Sequence, residues 1–213
     1  MPESTNLVCS SCPVSLLVLG AFGPAQHYQI VGPNWLDTDL LDSAARVPPN
    51  TTREQIVPML RTMLEQRFHM AAHREPREMP AAELVEAKAA VRLKKAPDTW
   101  APICGHLSAG DLDNGCAVWS YSGSGFTFNG VARIETLVSA LSLHLGKPVR
   151  DATGLTGFYE FKLAFVPDRA TETEFGVPLE KALSSQLGLK LQSGKSRVDM
   201  IVIDHIDRDP TGN

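Results

Sequence analysis

The sequence predicts an α+β fold made of two similar halves, in which helices pack on one face of an antiparallel sheet. Segments with apolar residues at helical spacing alternate along the chain with segments that have the apolar and polar alternation of strands. Landmarks of the second half also follow those of the first half at a constant shift of 119 positions. The 213 residues suffice for one large domain or two small ones.

Four segments have the apolar spacing of helices. The first follows Pro13, a residue type favoured at helix starts. The second begins with a capping box of Thr52 and Gln55, and Pro58 in its early turns predicts a kink or a later start. The predicted helices are Val14–Phe22, Arg53–Phe68, Ile134–Leu145, which ends at Gly146, and Leu179–Leu187, which ends at Gly188.

Strands are predicted between these helices. Tyr28–Val31 is expected to pair with the extended stretch that stops at Val47, across the turn Gly32-Pro33-Asn34. A turn at Glu75-Pro76 and a weak strand over Ala82–Val85 are predicted after the second helix. The last predicted strands are Tyr159–Phe165, a segment starting at Leu189 and Leu191, and Val198–Ile203.

The shift of 119 positions aligns the two halves without a gap. Val47-Pro48 corresponds to Val166-Pro167, and both precede equivalent helices. The other pairs are Leu36 with Leu155, Leu60 with Leu179, Leu64 with Leu183, Phe68 with Leu187 and Met70 with Leu189. We interpret the agreement as an internal duplication rather than chance among common apolar residues. The predicted boundaries are 1–93 for the first half, 94–129 for a loop-rich connection, 130–207 for the second half and 208–213 for a flexible tail.

Composition and charge exclude several classes of protein. The chain is 43% hydrophobic and 21% charged, as globular domains are, so disorder is not indicated. The net charge of -4 and the scattered basic residues argue against nucleic acid as a partner. The longest apolar stretch, Pro13–Phe22, has about half the length of a membrane-spanning helix.

The same apolar stretch is not a clear signal peptide. The residues before it include Glu3 and neither Lys nor Arg, whereas export signals begin with positive charge. The alternative is that Met1 lies inside a longer natural reading frame.

The four cysteines fall into two pairs. Cys104 and Cys116 bracket a Gly- and Asp-rich loop that a disulfide would close, as suits an oxidising compartment. A zinc site is the alternative, although these two cysteines are too far apart for a Cys-x-x-Cys knuckle. Cys9 and Cys12, before a predicted helix, have the local form of a redox dithiol, but lack the strand that thioredoxin-type motifs need before them. A pair without a function is the simpler interpretation.

Three histidines are the other candidates for chemistry. His69 and His73 have the spacing of helical metal ligands, but the glutamate of H-E-x-x-H proteases is absent and the helix should end there. His205 lies between Asp204 and Asp207, which suggests an acid–base unit. No nucleophile motif accompanies it, so we predict surface histidines, no catalytic residue, no metal and no cofactor.

Six segments in a fixed order resemble one known family. They are GPNWLDTD, TREQIVPMLRTMLEQRF with the HREPREMP that follows, LGKPVRDATGLTGFYEFKLAFVPD, LEKALSSQLGLKLQSG and VDMIVIDHID. The chain is similar from about Gln29 to Asp207 to the soil-associated family of uncharacterised proteins that is abundant in Acidobacteria, a domain of unknown function. No activity is established for that family, so the resemblance carries over no catalytic residue.

The resemblance implies an extracytoplasmic location, because members typically look exported and some carry this domain beside a membrane metallopeptidase of the antibiotic-sensor type. A cysteine pair like Cys104 and Cys116 is familiar in the family, whereas Cys9 and Cys12 are additions. The chain departs from the family in lacking the opening strand and signal segment before the first helix. It also departs in the poorer strand Ala81–Glu86.

Two classes of function remain. The first is a non-catalytic binding or interaction module of the bacterial envelope with an unknown protein or small-molecule partner, for which an open sheet edge or groove would be the signature. The second half, which resembles the short amino-terminal domains of secretins and TonB-dependent receptors, favours this class. The alternative is a small hydrolase or metal-dependent enzyme, in which His69, His73 or His205 would meet carboxylates in one pocket.

Overall fold

The computed structural model describes residues 5–23, 25–88, 91–97, 99, 116–122, 125–166 and 177–211. The chain divides into two compact units, and the first combines Met1–Met79 with Arg197–Asn213. The second unit is Pro80–Ser196. Helices and sheets occur in both, so the predicted α+β class is confirmed.

Unit 1 consists of short strands, three α-helices and parts of two long strands. Its elements are β1 (Thr5–Pro13), α1 (Val14–Phe22), a 3-10 turn (His27–Gln29), β2 (Ile30–Val31), α2 (Trp35–Thr38), β3 (Leu40–Val47), α3 (Arg53–Arg67), the first part of β4 (Ala71–Glu86) and the last part of β10 (Leu189–His205). β1 and β3 form an antiparallel two-stranded ribbon. β2 pairs in parallel with the last part of β10, where Ile30 lies opposite Ile201.

The core of unit 1 is closed by helices α1 and α3. Val14, Val18 and Leu64 are fully buried there and pack with Ile201 of β10. The capping box of Thr52 and Gln55 starts α3 as predicted, and the helix continues through Pro58, its sixth residue, which removes one backbone donor from the helix.

Unit 2 has a four-stranded antiparallel sheet, two helical segments and the remaining parts of the long strands. Its other elements are β5 (Lys94–Lys95), β6 (Val118–Ser122), β7 (Gly125–Arg133), α4 (Ile134–Leu145), β8 (Val149–Asp151), β9 (Phe158–Phe165), and α5 (Leu179–Ala182) with the π-helical turn Leu183–Leu187 after it. The antiparallel sheet has the order β5-β9-β7-β6. β8 pairs in parallel with β4, where Val149 lies opposite Ala82.

The core of unit 2 lies between this sheet and the helices. Leu137 and Leu141 of α4 pack with Leu183 and with Phe161 and Leu163 of β9. The predicted helices over 134–145 and 179–187 and the predicted strand over 159–165 are confirmed. Gly146 and Gly188 end the two helices in the left-handed conformation.

The predicted turn at Glu75-Pro76 is wrong, and the two strands predicted after Gly188 form one continuous strand. β4 runs without a turn through Glu75-Pro76 and includes the weak strand predicted over 82–85, because the residue before a proline favours extended backbone as much as a turn does. β10 is likewise continuous through Gly194, where a Cβ would lie 2.7 Å from Cγ of Glu83. The glycine there permits a close approach within a strand rather than a turn. The sheet that contains both strands has the order β2-β10-β4-β8.

Two other predictions about strands are wrong. Tyr28–Val31 does not pair with the stretch that ends at Val47, because β2 pairs with β10 and β3 pairs with β1. The chain also has a strand before its first helix, contrary to the expected departure from the family. Its pairing partner lies about 35 residues later in sequence, so no local turn signal indicates it.

Candidate functional site

The structure brings the three candidate histidines of unit 1 into contact with carboxylates. Nδ1 of His69 lies 2.7 Å from Oδ2 of Asp207, and Nε2 of His205 lies 3.0 Å from Oδ1 of the same carboxylate. Nδ1 of His73 lies 2.8 Å from Oδ2 of Asp204. His69 follows α3 and His73 lies in β4, so these two histidines do not share a helical face as their spacing suggested.

These contacts are exposed ion pairs. The side chains of His69, His73 and His205 are 56, 50 and 61% exposed. The hydrogen bond with Asp204 raises the pKa of His73, and the hydrogen bond from His69 lowers the pKa of Asp207. Within the described part of the chain, no three His, Cys, Asp or Glu side chains form a group that could hold a metal ion. The arrangement is thus a set of histidine–carboxylate contacts at the protein surface.

A histidine contact that the sequence did not indicate occurs beside α1. Nε2 of His27 lies 2.6 Å from Oδ1 of Asp37. Burial raises the pKa of Asp37, but hydrogen bonds from Ser15 and His27 outweigh it and lower the pKa overall. A polar pocket of about 140 Å³ adjoins the pair and is lined also by Gly32 and Asn34. Both residues of the pair are about half exposed, so this is a surface contact as well.

Cys9 and Cys12 form a disulfide within β1. Cys9 lies opposite Ser43 and Cys12 opposite Leu41, so the two residues between the cysteines face one residue of β3. This is a β-bulge. The predicted partner of Cys116 is Cys104, which lies outside the described residues, so that disulfide stays a prediction.

The β1–β3 ribbon of unit 1 has open edges. Among the residues that the structure describes, neither strand has a second neighbour. Val8 on β1 and Leu40 on β3 are 67 and 60% exposed. A two-stranded ribbon is marginal by itself, and its unpaired backbone groups can accept another strand.

A second open feature of unit 1 is a groove along α3. It has a volume of about 810 Å³ and runs between the helix and the proline-rich segment before it. Met59, which is 42% exposed, lies on one wall and Pro48 and Pro49 on the other. Among the described residues that line the groove, Arg67 is the one basic residue and none is acidic. Its mixed lining does not specify a ligand.

No helix in the described ranges has the length and apolarity to span a membrane. A family model described as "Protein of unknown function (DUF3738)" matches residues 16–206. No curated protein and no solved structure matches the chain.

Proposed function

The chain belongs to the family of proteins of unknown function whose model covers residues 16–206, as its ordered motifs predicted, and we propose that it is a non-catalytic interaction module. The site of interaction is the outer edge of β1. Its ligand is an extended segment of a partner protein, which adds to the β1–β3 ribbon as a third, antiparallel strand. Main-chain hydrogen bonds hold such a ligand, and alternate side chains select it.

The observation that carries this proposal is a comparison of the two units. In unit 1, the pairing of β1 with β3 ends at Pro13 opposite Leu40, and Pro13 immediately precedes α1. In unit 2, β7 and β9 pair up to Arg133 opposite Phe158, immediately before α4. β7 has a second neighbour, β6, which pairs with it in antiparallel orientation. Among the described residues, β1 has no second neighbour at the equivalent edge. We therefore assign to the ligand the place beside β1 that β6 takes beside β7.

The exposed side chain on β1 supports the same assignment. Val8 is 67% exposed, whereas Phe128 and Ala132 of β7, the counterpart of β1 in unit 2, are buried in the core of that unit. Edge strands are ordinarily protected by charges or prolines. The stretch Thr5–Cys9 contains neither. An apolar side chain of the ligand would cover Val8.

The equivalence of the units also supports our proposal of an internal duplication. Ile30 of β2 lies opposite Ile201, and Val149 of β8 lies opposite Ala82. A shift of 119 residues places Ile30 on Val149, and the reverse shift places Ile201 on Ala82, so the two parallel pairs have the same register. His69 and Gly188, which the same shift relates, both have a positive φ within two residues of the end of a helix. Each long strand follows a helix in sequence and has residues in both units.

We further propose that the module acts in the envelope of a soil bacterium. The resemblance to exported, soil-associated proteins suggests this location, and the Cys9–Cys12 disulfide suits an oxidising compartment. Fractionation of the native host, with detection of the chain by antibody, tests it. Recovery only in the cytosolic fraction would refute the proposed location but would leave the proposed binding at the β1 edge untouched.

The test of the β1 edge uses the full chain and a displayed library of nine-residue peptides. We expect selected binders to alternate apolar and polar residues and to slow amide exchange of Thr5–Cys9. Val8→Lys places a charge on the edge and should abolish binding. Leu143→Lys is the matched control, because Leu143 is 61% exposed on α4 and remote from the edge in sequence. Failure to select binders, or equal binding by both variants, would overturn the proposal.

A further inference from the structure

We propose that the Cys9–Cys12 disulfide is a thiol–disulfide exchange site that fixes the register of β1 and so controls the edge assigned above. The control of ligand binding rests on the proposed function, whereas the exchange reaction at the disulfide does not. The reaction partner is a dithiol reductant, either a small molecule or the dithiol of a redox protein.

The disulfide encloses the irregularity of the strand. Thr5–Cys9 pair with Val47–Ser43 in one register, and Cys12 and Pro13 pair with Leu41 and Leu40 in a register one residue further along. The change of register takes place between the two cysteines.

Ser11, inside the ring closed by the disulfide, has a φ of 52°. L-residues in strands avoid this left-handed region, and glycine is the residue type that adopts it freely. The amide of Ser11 donates a hydrogen bond of 2.7 Å to Oδ1 of Asp42, which lies opposite the bulge. The bulge is therefore held in an unfavourable backbone conformation by the covalent link and by one hydrogen bond.

The position of the disulfide permits exchange. Cys9 and Cys12 are both only half buried, and Ser10 and Ser11 between them are exposed. Access of the attacking thiolate is one determinant of the exchange rate. The two cysteines are three residues apart, so the link closes a short loop and constrains the unfolded chain less than a long loop would.

The exchange step balances with a dithiol reductant. A thiolate of the reductant attacks Sγ of one cysteine, and a mixed disulfide forms while the Cys9–Cys12 bond breaks and the other cysteine leaves as a thiolate. The second thiol of the reductant then attacks the mixed disulfide. The chain gains two electrons and two protons as two thiols, and the reductant becomes a disulfide.

Reduction removes the covalent support of the bulge. If the strand then takes the register of Cys12 and Pro13 throughout, Thr5–Cys9 move by one residue relative to β3. Because side chains alternate between the two faces of a strand, that shift turns Val8 to the opposite face. The oxidised and reduced chains therefore present different edges to a ligand strand.

The experiment compares the folded full chain before and after treatment with dithiothreitol, without any binding partner. Alkylation followed by peptide mapping identifies the redox state of Cys9 and Cys12 separately from the other cysteines. Hydrogen exchange is then measured on peptides that cover β1 and on peptides that cover β7, the equivalent strand of unit 2. We expect reduction of the pair in the native protein and several-fold faster exchange in β1, with β7 unchanged.

The double variant Cys9→Ser/Cys12→Ser gives an independent measurement and should exchange like the reduced chain. Two results would overturn the proposal: a disulfide that resists dithiothreitol until the chain unfolds, or a reduced chain whose β1 exchanges as the oxidised one does. Because no ligand takes part, these results do not depend on whether the edge binds peptides. Binders from the library, where found, should differ several-fold in affinity between the two redox states.

Discussion

Nδ1 of His73 lies 2.8 Å from Oδ2 of Asp204, so a histidine near the start of β4 is paired with a carboxylate at the end of β10. Nε2 of the same imidazole lies 3.8 Å from Oε2 of Glu75. The hydrogen bond with Asp204 is the main cause of the raised pKa of His73, and Glu75 adds to it. The positive charge of Arg77 opposes this rise in the pKa of His73. Arg77 also lowers the pKa of Glu75 through a hydrogen bond.

This pair predicts a pH dependence of stability. The pKa of His73 is higher in the folded chain than its ordinary value of 6.5. The stabilisation by His73 is therefore fully present below pH 6.5 and is lost as the pH rises through the raised folded pKa. His73→Gln should lower the melting temperature at pH 5.5 and have little effect at pH 8.5. Thermal unfolding of both proteins across this range provides the measurement.

A double-mutant cycle isolates the contact. Asp204→Asn should reproduce the pH dependence of His73→Gln, and the second substitution should add little to the first. A stability difference between wild type and His73→Gln that grows with pH would contradict the assigned direction of the pKa shift.

Joint replacement of His69, His73 and His205 by alanine should have only a small effect. Exposed ion pairs contribute little to stability, and these side chains are half exposed or more. Leu141→Ala, by contrast, should cost about 2–5 kcal/mol, because Leu141 is fully buried. Denaturant unfolding compares the variants, and peptide binding should survive the triple replacement. A hydrolytic activity or bound metal that disappears in the triple variant would instead favour an enzyme.

The backbone of His69 allows a sharper comparison at a single position. Its φ is 45°, and the residue that the shift of 119 places on it is Gly188, with a φ of 70°. His69→Gly should therefore be more stable than His69→Ala by about 1 kcal/mol, although both lose the contact with Asp207. Chemical denaturation of the two variants checks the sign, and an alanine variant at least as stable as the glycine variant would contradict it.

Local signals explain which elements the sequence predicts. The capping box of Thr52 and Gln55, the left-handed stop at Gly146 and the alternation from Tyr159 each act over a few residues, and all three elements form as predicted. The α+β fold class follows from such elements. The family match follows from their order.

Long-range pairing explains what the sequence leaves open. His73 and Asp204 are 131 residues apart, so nothing near either residue indicates their contact. Pro76 and Gly194 are of residue types that are common in turns, yet both lie within continuous strands. The open edge of β1 depends on which strands pair with which, and periodicity specifies the faces of a strand but not its neighbours.

Among the described glycines of unit 2, Gly130 in β7 should be the least replaceable. Its φ is 122°, and a Cβ built there would lie 2.6 Å from the carbonyl oxygen of Cys116 and 2.7 Å from the amide nitrogen of Ala117. Both obstacles are backbone atoms, and the segment that carries them is held by the amide of Ala117, which donates a hydrogen bond of 2.8 Å to the carbonyl of Val131. Gly130→Ala therefore combines a strained backbone with a clash that no side-chain rotation relieves, and we expect a loss of about 2–5 kcal/mol.

Gly154→Ala is the matched control, since its φ of 72° imposes similar backbone strain but a Cβ there meets nothing within 4 Å. That variant should lose only about 1 kcal/mol. Urea unfolding of the two variants measures the difference, and equal losses would show that the approach of Cys116 and Ala117 to Gly130 is not what requires glycine there.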